Sequence, residues 1–171
     1  KYDVDIIGME PALKVACDRG DNQRIAVWAT ELTLSEKKFA DLMNRFKDEH
    51  HIMKVPCPKL VRMVEDDKLD DTNLVESVLK EYLVVCDYKN LDSIVLGCTH
   101  FPFYTKYLER LCPNIHIIEG SVGTTLHTKD LLEQKGLLNM SDEIGSITWM
   151  NTMESKIELS KRLFKMLEVE A

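Results

Sequence analysis

The sequence predicts an α/β fold with a mostly parallel sheet, because short apolar runs alternate with amphipathic stretches along its whole length. Each apolar run spans four or five residues, a usual length for a buried strand. Helical connections between such strands make them parallel and put helices on the sheet faces, in a doubly wound arrangement. The predicted strands are residues 4–7, 25–29, 51–55, 93–96, 115–118 and 146–150.

Helical patterns lie between and after these runs. Asp71 is a candidate N-cap, because it stands just before a helical apolar stripe, and Gly136 is a candidate helix stop. The polar stretch 139–145 is the best candidate for a long surface loop. The predicted helices are residues 11–18, 35–46, 58–65, 72–85, 102–111, 121–134 and 154–167.

Composition excludes two classes of partner. A net charge of −7 without a basic stripe argues against nucleic-acid binding, and no apolar run approaches the roughly 18 residues of a membrane helix. The five cysteines form an odd set with no C-x-x-C pair and no secretory signal, which indicates free thiols in a reducing cytoplasm. The chain begins at Lys1 and enters an apolar stretch almost at once, so we expect it to be part of a longer polypeptide.

The sharpest local signal is the segment L-D-S-I-V-L-G-C-T-H-F-P, residues 91–102. A strand ends at Leu96, glycine allows a tight turn, and proline suits the first turn of a helix, which places Cys98 at a strand-to-helix junction. Amide N–H groups and the helix dipole would favour the thiolate there. His100 could hold or relay a proton, and the Thr99 hydroxyl could bind a carboxylate.

The G-C-T-H-F-P motif resembles the second cysteine motif of the glutamate racemases, within the aspartate/glutamate racemase superfamily. Further segments are similar in the same order: I-I-G-M-E-P-A at 6–12, R-I-A-V-W-A-T-E-L-T at 24–33, C-P-K-L-V-R-M-V-E at 57–65, I-I-E-G-S-V-G-T at 117–124 and the apolar run at 147–152. Ala29 stands where the family usually has glycine. The resemblance covers nearly the whole chain.

This resemblance implies a cofactor-independent enzyme of the bacterial cytoplasm that interconverts L- and D-glutamate, supplying D-glutamate for peptidoglycan and hence for cell-wall biogenesis and cell shape. Inverting a stereocentre by proton transfer requires one base on each face of Cα, and two thiols can serve. Cys98 matches the second of these thiols. The other matching positions are His100 as its assisting group, Glu65 as a supporting acid, Thr99 as a substrate binder, and Thr30 and Thr33 near the substrate.

Simpler explanations exist for three of these residues. A Thr-x-x-Thr sequence such as Thr30 to Thr33 is usually a helix cap, and a glutamate near a helix end, such as Glu65, is usually solvated. The family's Asp-Ser-Gly turn and its first catalytic cysteine, in a Cys-Asn-Thr turn, are not found here. The remaining cysteines are therefore interpreted as core packing, and we expect the chain by itself to be inactive; they are Cys17, Cys57, Cys86 and Cys112.

The resemblance also predicts two pieces of α/β structure. Residues 1–97 would form a complete middle domain, and residues 98–171 would belong to a second domain whose N-terminal strands are absent. An exposed sheet edge would then favour either self-association or a C-terminal half that is looser than the middle domain.

Three other functions remain as alternatives. A metal site could use the pairs Cys98/His100 and Cys112/His116, but their spacing is not a known zinc pattern, so no metal is predicted. A non-catalytic binding or assembly module of the same fold is the second. The third is a racemase of another substrate, such as aspartate or a hydantoin, although T-H-F-P after the cysteine favours glutamate as the small-molecule partner.

Overall fold

A computed structural model describes residues 4–9 and 11–168 of the chain. Its centre is a four-stranded, fully parallel sheet with the spatial order β2-β1-β3-β4. The predicted α/β class is thereby confirmed. The strands are β1 (Arg24–Ala29), β2 (His51–Pro56), β3 (Ser93–Leu96) and β4 (His116–Glu119).

The central strand β1 pairs with a neighbour on each side. Arg24 is in register with His51 of β2, and Ile25 is in register with Ser93 of β3. All residues of β1 after Arg24 and all residues of β3 are buried. Such continuous apolar runs are typical of parallel strands covered on both faces.

Two layers of helix cover this sheet. Residues Ile25, Val27 and Ala29 face a core shared with α1 and α3, whereas Trp28 faces the other side and its ring lies 5.7 Å from that of Tyr82 in α5. The doubly wound arrangement follows from this alternation. The α-helices are α1 (Leu13–Cys17), α2 (Glu31–Ser35), α3 (Lys37–Asn44), α4 (Pro58–Glu65), α5 (Thr72–Val85), α6 (Thr105–Leu111), α7 (Ser121–Gln134) and α8 (Ile157–Glu168), with short 3-10 helices at Tyr88–Asn90, Phe101–Tyr104 and Glu154–Lys156.

Two predicted helix ends are confirmed in atomic detail. The Asp71 carboxylate accepts a hydrogen bond of 3.0 Å from the Leu74 N–H at the start of α5. Gly136 has a φ of +64° after α7, its N–H donates to the Glu133 carbonyl, and the Leu137 N–H donates to the Leu132 carbonyl. This pair of bonds is the Schellman motif, for which glycine is the favoured residue.

Two predicted strands are wrong. Residues 4–7 and 146–150 have no regular structure, and their apolar side chains are largely exposed, including Ile6 at 79% and Met150 at 87%. Strand formation needs a partner, and neither run pairs with another strand of the described residues. The helix predicted at 35–46 is divided, because Glu36 adopts an extended conformation between α2 and α3.

The chain divides into two compact units, residues 1–131 and 132–171. The domain boundary predicted at 97/98 stays a prediction for the longer protein; in this chain β4 pairs with β3 across it. None of residues 119–167 is buried. The C-terminal unit contains α8 and an aromatic contact between Trp149 and Phe164, with ring centres 5.4 Å apart. No helix in the described part of the chain is long and apolar enough to cross a membrane.

Candidate active site

The sheet topology creates a crevice at the carboxyl ends of β1 and β3. After β1 the chain passes to β2 on one side, and it later returns to β3 on the other side. Ligands of open α/β sheets bind where the connections diverge in this way. A cavity of about 390 Å³ lies here, and its lining includes Thr33, Cys98 and Thr99.

Gly97 permits the tight packing beneath this cavity. A Cβ atom at position 97 would lie 3.0 Å from Cγ of Pro11 and 3.3 Å from Cβ of Ala29. The Gly97 N–H donates to the Trp28 carbonyl at 2.8 Å, which continues the strand pairing by one residue. The absence of a side chain therefore allows the loop before α1 to approach the end of β3.

Cys98 is held in a turn directly after β3. Its carbonyl accepts a hydrogen bond of 3.0 Å from the Phe101 N–H, and its side chain is half-buried. The Sγ atom lies 3.7 Å from Nδ1 of His100. The sequence therefore correctly placed the cysteine beside a histidine at the end of a buried strand.

The predicted strand-to-helix junction at Cys98 is present, but the helix predicted at 102–111 does not begin as an α-helix. A four-residue 3-10 helix, Phe101–Tyr104, follows the turn, and the α-helix begins only at Thr105. The effect of a helix dipole is confined to the first turn, so α6 does not act on the thiol. The neighbouring histidine is the group that can stabilise a thiolate.

His100 connects the thiol to a carboxylate. Its Nε2 atom lies 2.8 Å from Oε1 of Glu65, the last residue of α4. The structure thus joins Cys98, His100 and Glu65 in one chain of contacts, which we call the relay. The exposed fraction of the side chain is 27% for His100 and 49% for Glu65.

Hydrogen bonding outweighs burial at the thiol. Burial raises the pKa of Cys98. Hydrogen bonds from the side chain and backbone of His100 together lower it by more than burial raises it, so the pKa is below the ordinary value of a cysteine. In turn, the hydrogen bond with Cys98 raises the pKa of His100 to about 9, with a smaller contribution from Glu65 and opposition from burial. Both shifts act in the same direction, because each makes a thiolate–imidazolium pair easier to form than it is for the isolated side chains.

The predicted substrate-binding threonines differ in their surroundings. Thr30 is the N-cap of α2, because its Oγ1 atom accepts a hydrogen bond of 3.2 Å from the Thr33 N–H. The two hydroxyl oxygens lie 3.0 Å apart. The simpler cap explanation therefore applies to Thr30, while Thr33 and Thr99 also line the cavity.

Sequence reasoning missed two charged residues of the cavity wall. Glu36 and Lys38 line the cavity together with Phe39 of α3. Their position directly after the Thr-x-x-Thr turn could have indicated them, since the start of α3 returns towards the ends of β1 and β3. They give the wall one negative and one positive charge.

The other four cysteines are buried, as the core-packing interpretation requires. Burial raises the pKa of each of these thiols, to about 11 in the case of Cys112. Within the described residues, no group of three or more His, Cys, Asp or Glu side chains is arranged to hold a metal ion. The structure accordingly does not bring Cys98, His100, Cys112 and His116 together as a metal cluster.

Comparison with protein-family models gives no match. Individual proteins do match: the chain is 48% identical to a glutamate racemase of Bifidobacterium animalis subsp. lactis over 96% of its length and 66% of the relative's. It is 51% identical to the glutamate racemase of Bifidobacterium adolescentis over 88% and 60% of the two lengths. A glutamate racemase of Clostridium botulinum is 39% identical, over 96% and 65%.

Solved structures agree on the fold. Escherichia coli glutamate racemase, solved with L-glutamate and the activator UDP-MurNAc-ala, superposes with a TM-score of 0.73 at 24% identity, over 96% of this chain and 63% of that one. Glutamate racemase of Francisella tularensis, solved with D-glutamate, gives a TM-score of 0.61 at 27% identity, over 70% and 45%. The chain spans 60–66% of the length of the curated relatives described above. It therefore belongs to the glutamate racemase family and corresponds to a part of those proteins.

Proposed function

We propose that this chain contributes one of the two acid/base thiols of a glutamate racemase, with Cys98 exchanging a proton at one face of the substrate Cα. The observation that carries this proposal is the relay, in which a half-buried thiol at the cavity contacts a histidine that is itself bonded to a carboxylate. The curated relatives bear the name glutamate racemase, and the related Francisella enzyme was solved with D-glutamate.

In this mechanism the Cys98 thiolate removes the Cα proton and becomes a thiol, while a second thiol on the opposite face delivers its proton to Cα and becomes a thiolate. One proton is removed and one is delivered in each turnover, so the substrate gains and loses none overall. In the reverse reaction the two thiols exchange roles. His100 stabilises the thiolate as an imidazolium. Glu65 accepts the hydrogen bond from Nε2 and so fixes the ring with Nδ1 towards sulfur.

The cavity wall provides groups for an amino-acid substrate. The hydroxyls of Thr99 and Thr33 would donate to carboxylate oxygens, and the Thr30 hydroxyl lies beside that of Thr33. The Lys38 ammonium would attract the negative charge of a dicarboxylic substrate, and Glu36 would attract its amino group. Proton transfer between two thiols needs no cofactor.

The product of this reaction would be D-glutamate for bacterial peptidoglycan, made in the cytoplasm and used to maintain the cell wall and cell shape. The name shared by the bacterial relatives supports this role.

The test uses the natural polypeptide that contains this chain. We expect circular dichroism to show racemisation of L- and D-glutamate by the wild type and none by Cys98→Ser. In deuterated water the variant should still exchange the Cα proton of one enantiomer, because the opposite base is intact. Equal racemisation by the variant and the wild type would remove Cys98 from the mechanism.

A further inference from the structure

A buried tyrosine connects the two elements that carry the relay. The Tyr104 hydroxyl donates a hydrogen bond of 2.7 Å to the Leu60 carbonyl, across 44 residues of sequence. Tyr104 has no exposed surface, and its ring meets that of Phe101 edge-on at 6.5 Å. A buried phenol requires a polar partner, and here that partner is the backbone of α4.

The location of this bond relates it to the relay. Tyr104 ends the 3-10 helix that begins directly after His100. Leu60 lies five residues before Glu65 on α4, or about 7.5 Å along the helix axis. The buried bond therefore joins the same two elements as the half-exposed His100–Glu65 bond, at a second point.

Such a second attachment is needed because the His100–Glu65 contact is weak by itself. Ion pairs with exposed side chains stabilise a geometry only slightly, since water competes for both partners. A site held within a fraction of an ångström depends on rigid elements that are fixed by buried contacts. The Tyr104–Leu60 bond is buried and joins a helix to the turn that carries the catalytic thiol.

We propose that Tyr104 is a positioning residue for the relay: its hydrogen bond to the Leu60 carbonyl sets the separation between α4 and the Cys98–His100 turn, and thereby holds Glu65 against His100. The importance of this for catalysis rests on the proposed function. The effect of Tyr104 on the pKa of the Cys98 thiol does not depend on the proposed function, because it can be measured in this chain alone. Burial raises the pKa of Tyr104, so the hydroxyl remains a donor at all physiological pH values.

Tyr104→Phe tests the proposal, because it removes the hydroxyl and keeps the ring. The rate of carbamidomethylation of Cys98 is measured against pH by peptide mapping. We expect the midpoint of the Cys98 profile to move up towards that of an ordinary thiol and the rate at pH 7 to fall about twofold to threefold. Removal of His100 itself should have a larger effect, because Glu65 is the smaller contributor to the pair. Tyr104→Met, which also lacks the hydroxyl, should give the same direction of change, so the test does not depend on one variant folding well.

Tyr107→Phe is the matched control. Its hydroxyl donates to the Leu69 carbonyl at 3.4 Å, beyond the end of α4, and is only partly buried. We expect this variant to keep the wild-type pH profile of Cys98. A drop in melting temperature for Tyr104→Phe with an unchanged Cys98 profile would overturn the proposal, because it would show a purely structural role.

A double-mutant cycle adds a second criterion. If Tyr104 acts through Glu65, then Tyr104→Phe should cause no further change in the Cys98 profile of a Glu65→Gln variant. Independent, additive effects would contradict the proposed route. Failure of the natural polypeptide to racemise glutamate would refute the proposed function but leave a coupled Tyr104–Glu65 effect on the thiol intact, so the two failures are distinguishable.

Discussion

Glu65 and His100 are hydrogen-bonded at 2.8 Å although 35 residues separate them in sequence. The bond forms because α4 ends near the carboxyl end of β3, where His100 follows the buried strand within four residues. A carboxylate at this point stabilises the imidazolium on the side away from the thiol. The relay is therefore a product of the α/β crossover and cannot be read from local spacing alone.

Cys98 should be the most reactive of the five thiols. A thiol reacts as thiolate, so its rate rises with pH and levels off above its pKa. Because His100 lowers the pKa of Cys98, the plateau should begin below the pH typical of a free cysteine. In His100→Asn we expect the plateau at higher pH and a rate at pH 7 reduced about threefold to tenfold. Competitive alkylation at several pH values, followed by peptide mapping, measures both effects.

The four buried cysteines are the internal control for this experiment. Burial raises the pKa of Cys17 and Cys86, which should react slowly at neutral pH. First reaction at either residue would contradict the special environment of Cys98.

His100 should titrate well above the ordinary pKa of a histidine side chain. The hydrogen bond with Cys98 is the largest cause of its raised pKa of about 9, and Glu65 contributes less. We therefore expect the titration midpoint to fall in both Cys98→Ser and Glu65→Gln, with the larger fall in the cysteine variant. Nuclear magnetic resonance of histidine-labelled protein gives the midpoints directly. A wild-type midpoint near that of free histidine would mean that the thiolate–imidazolium pair does not form.

Gly97→Ala should destabilise the protein by about 1–3 kcal/mol. The new methyl group would meet the Pro11 ring at 3.0 Å and the Ala29 methyl at 3.3 Å, and neither can rotate away. The matched control is Gly123→Ala in α7, where a Cβ atom has no neighbour within 4 Å. That change should stabilise the helix by up to about 1 kcal/mol. Urea unfolding of both variants tests the pair; equal stabilities would show that position 97 tolerates a side chain.

The sequence predicted local features well and spatial partners poorly. The strands β1 to β4, the Asp71 cap and the Gly136 stop are determined by apolar patterning and by neighbours a few residues away, so they could be predicted. The run at 146–150 has a composition typical of a strand. Whether it forms one depends on a partner strand elsewhere, and the five residues themselves carry no information about that partner. Tyr104 was missed for a similar reason: its acceptor is a backbone carbonyl 44 residues away.

Residues 120–168 should exchange their amide hydrogens faster than the strands of the sheet. None of residues 119–167 is buried, and apolar side chains such as Met140 and Ile144 are 86% and 100% exposed. Segments with few buried apolar contacts open at a low cost in free energy. Hydrogen exchange with mass spectrometry measures this at several protein concentrations. Strong protection that increases with concentration would instead indicate self-association through this exposed apolar surface.

The last prediction is that this chain, as given, does not racemise glutamate. A two-base mechanism requires a second acid/base group across Cα from Cys98, and Cys98 is the only cysteine in the lining of the described cavity. The other four thiols are buried with raised pKa values, so little of each is thiolate at neutral pH, and none of them lines the cavity. Loss of one member of a catalytic unit removes most of the rate enhancement.

Circular dichroism of L-glutamate at high protein concentration measures racemisation directly. We expect no change in signal beyond that of a Cys98→Ser control. Turnover comparable to that of an ordinary racemase would mean that a second base exists in this chain. Cys57 would then be the first residue to replace, because Cys98 contributes to its raised pKa, after burial and Cys86. Such a result would also require the cavity to open, since Cys57 has no exposed surface in this structure.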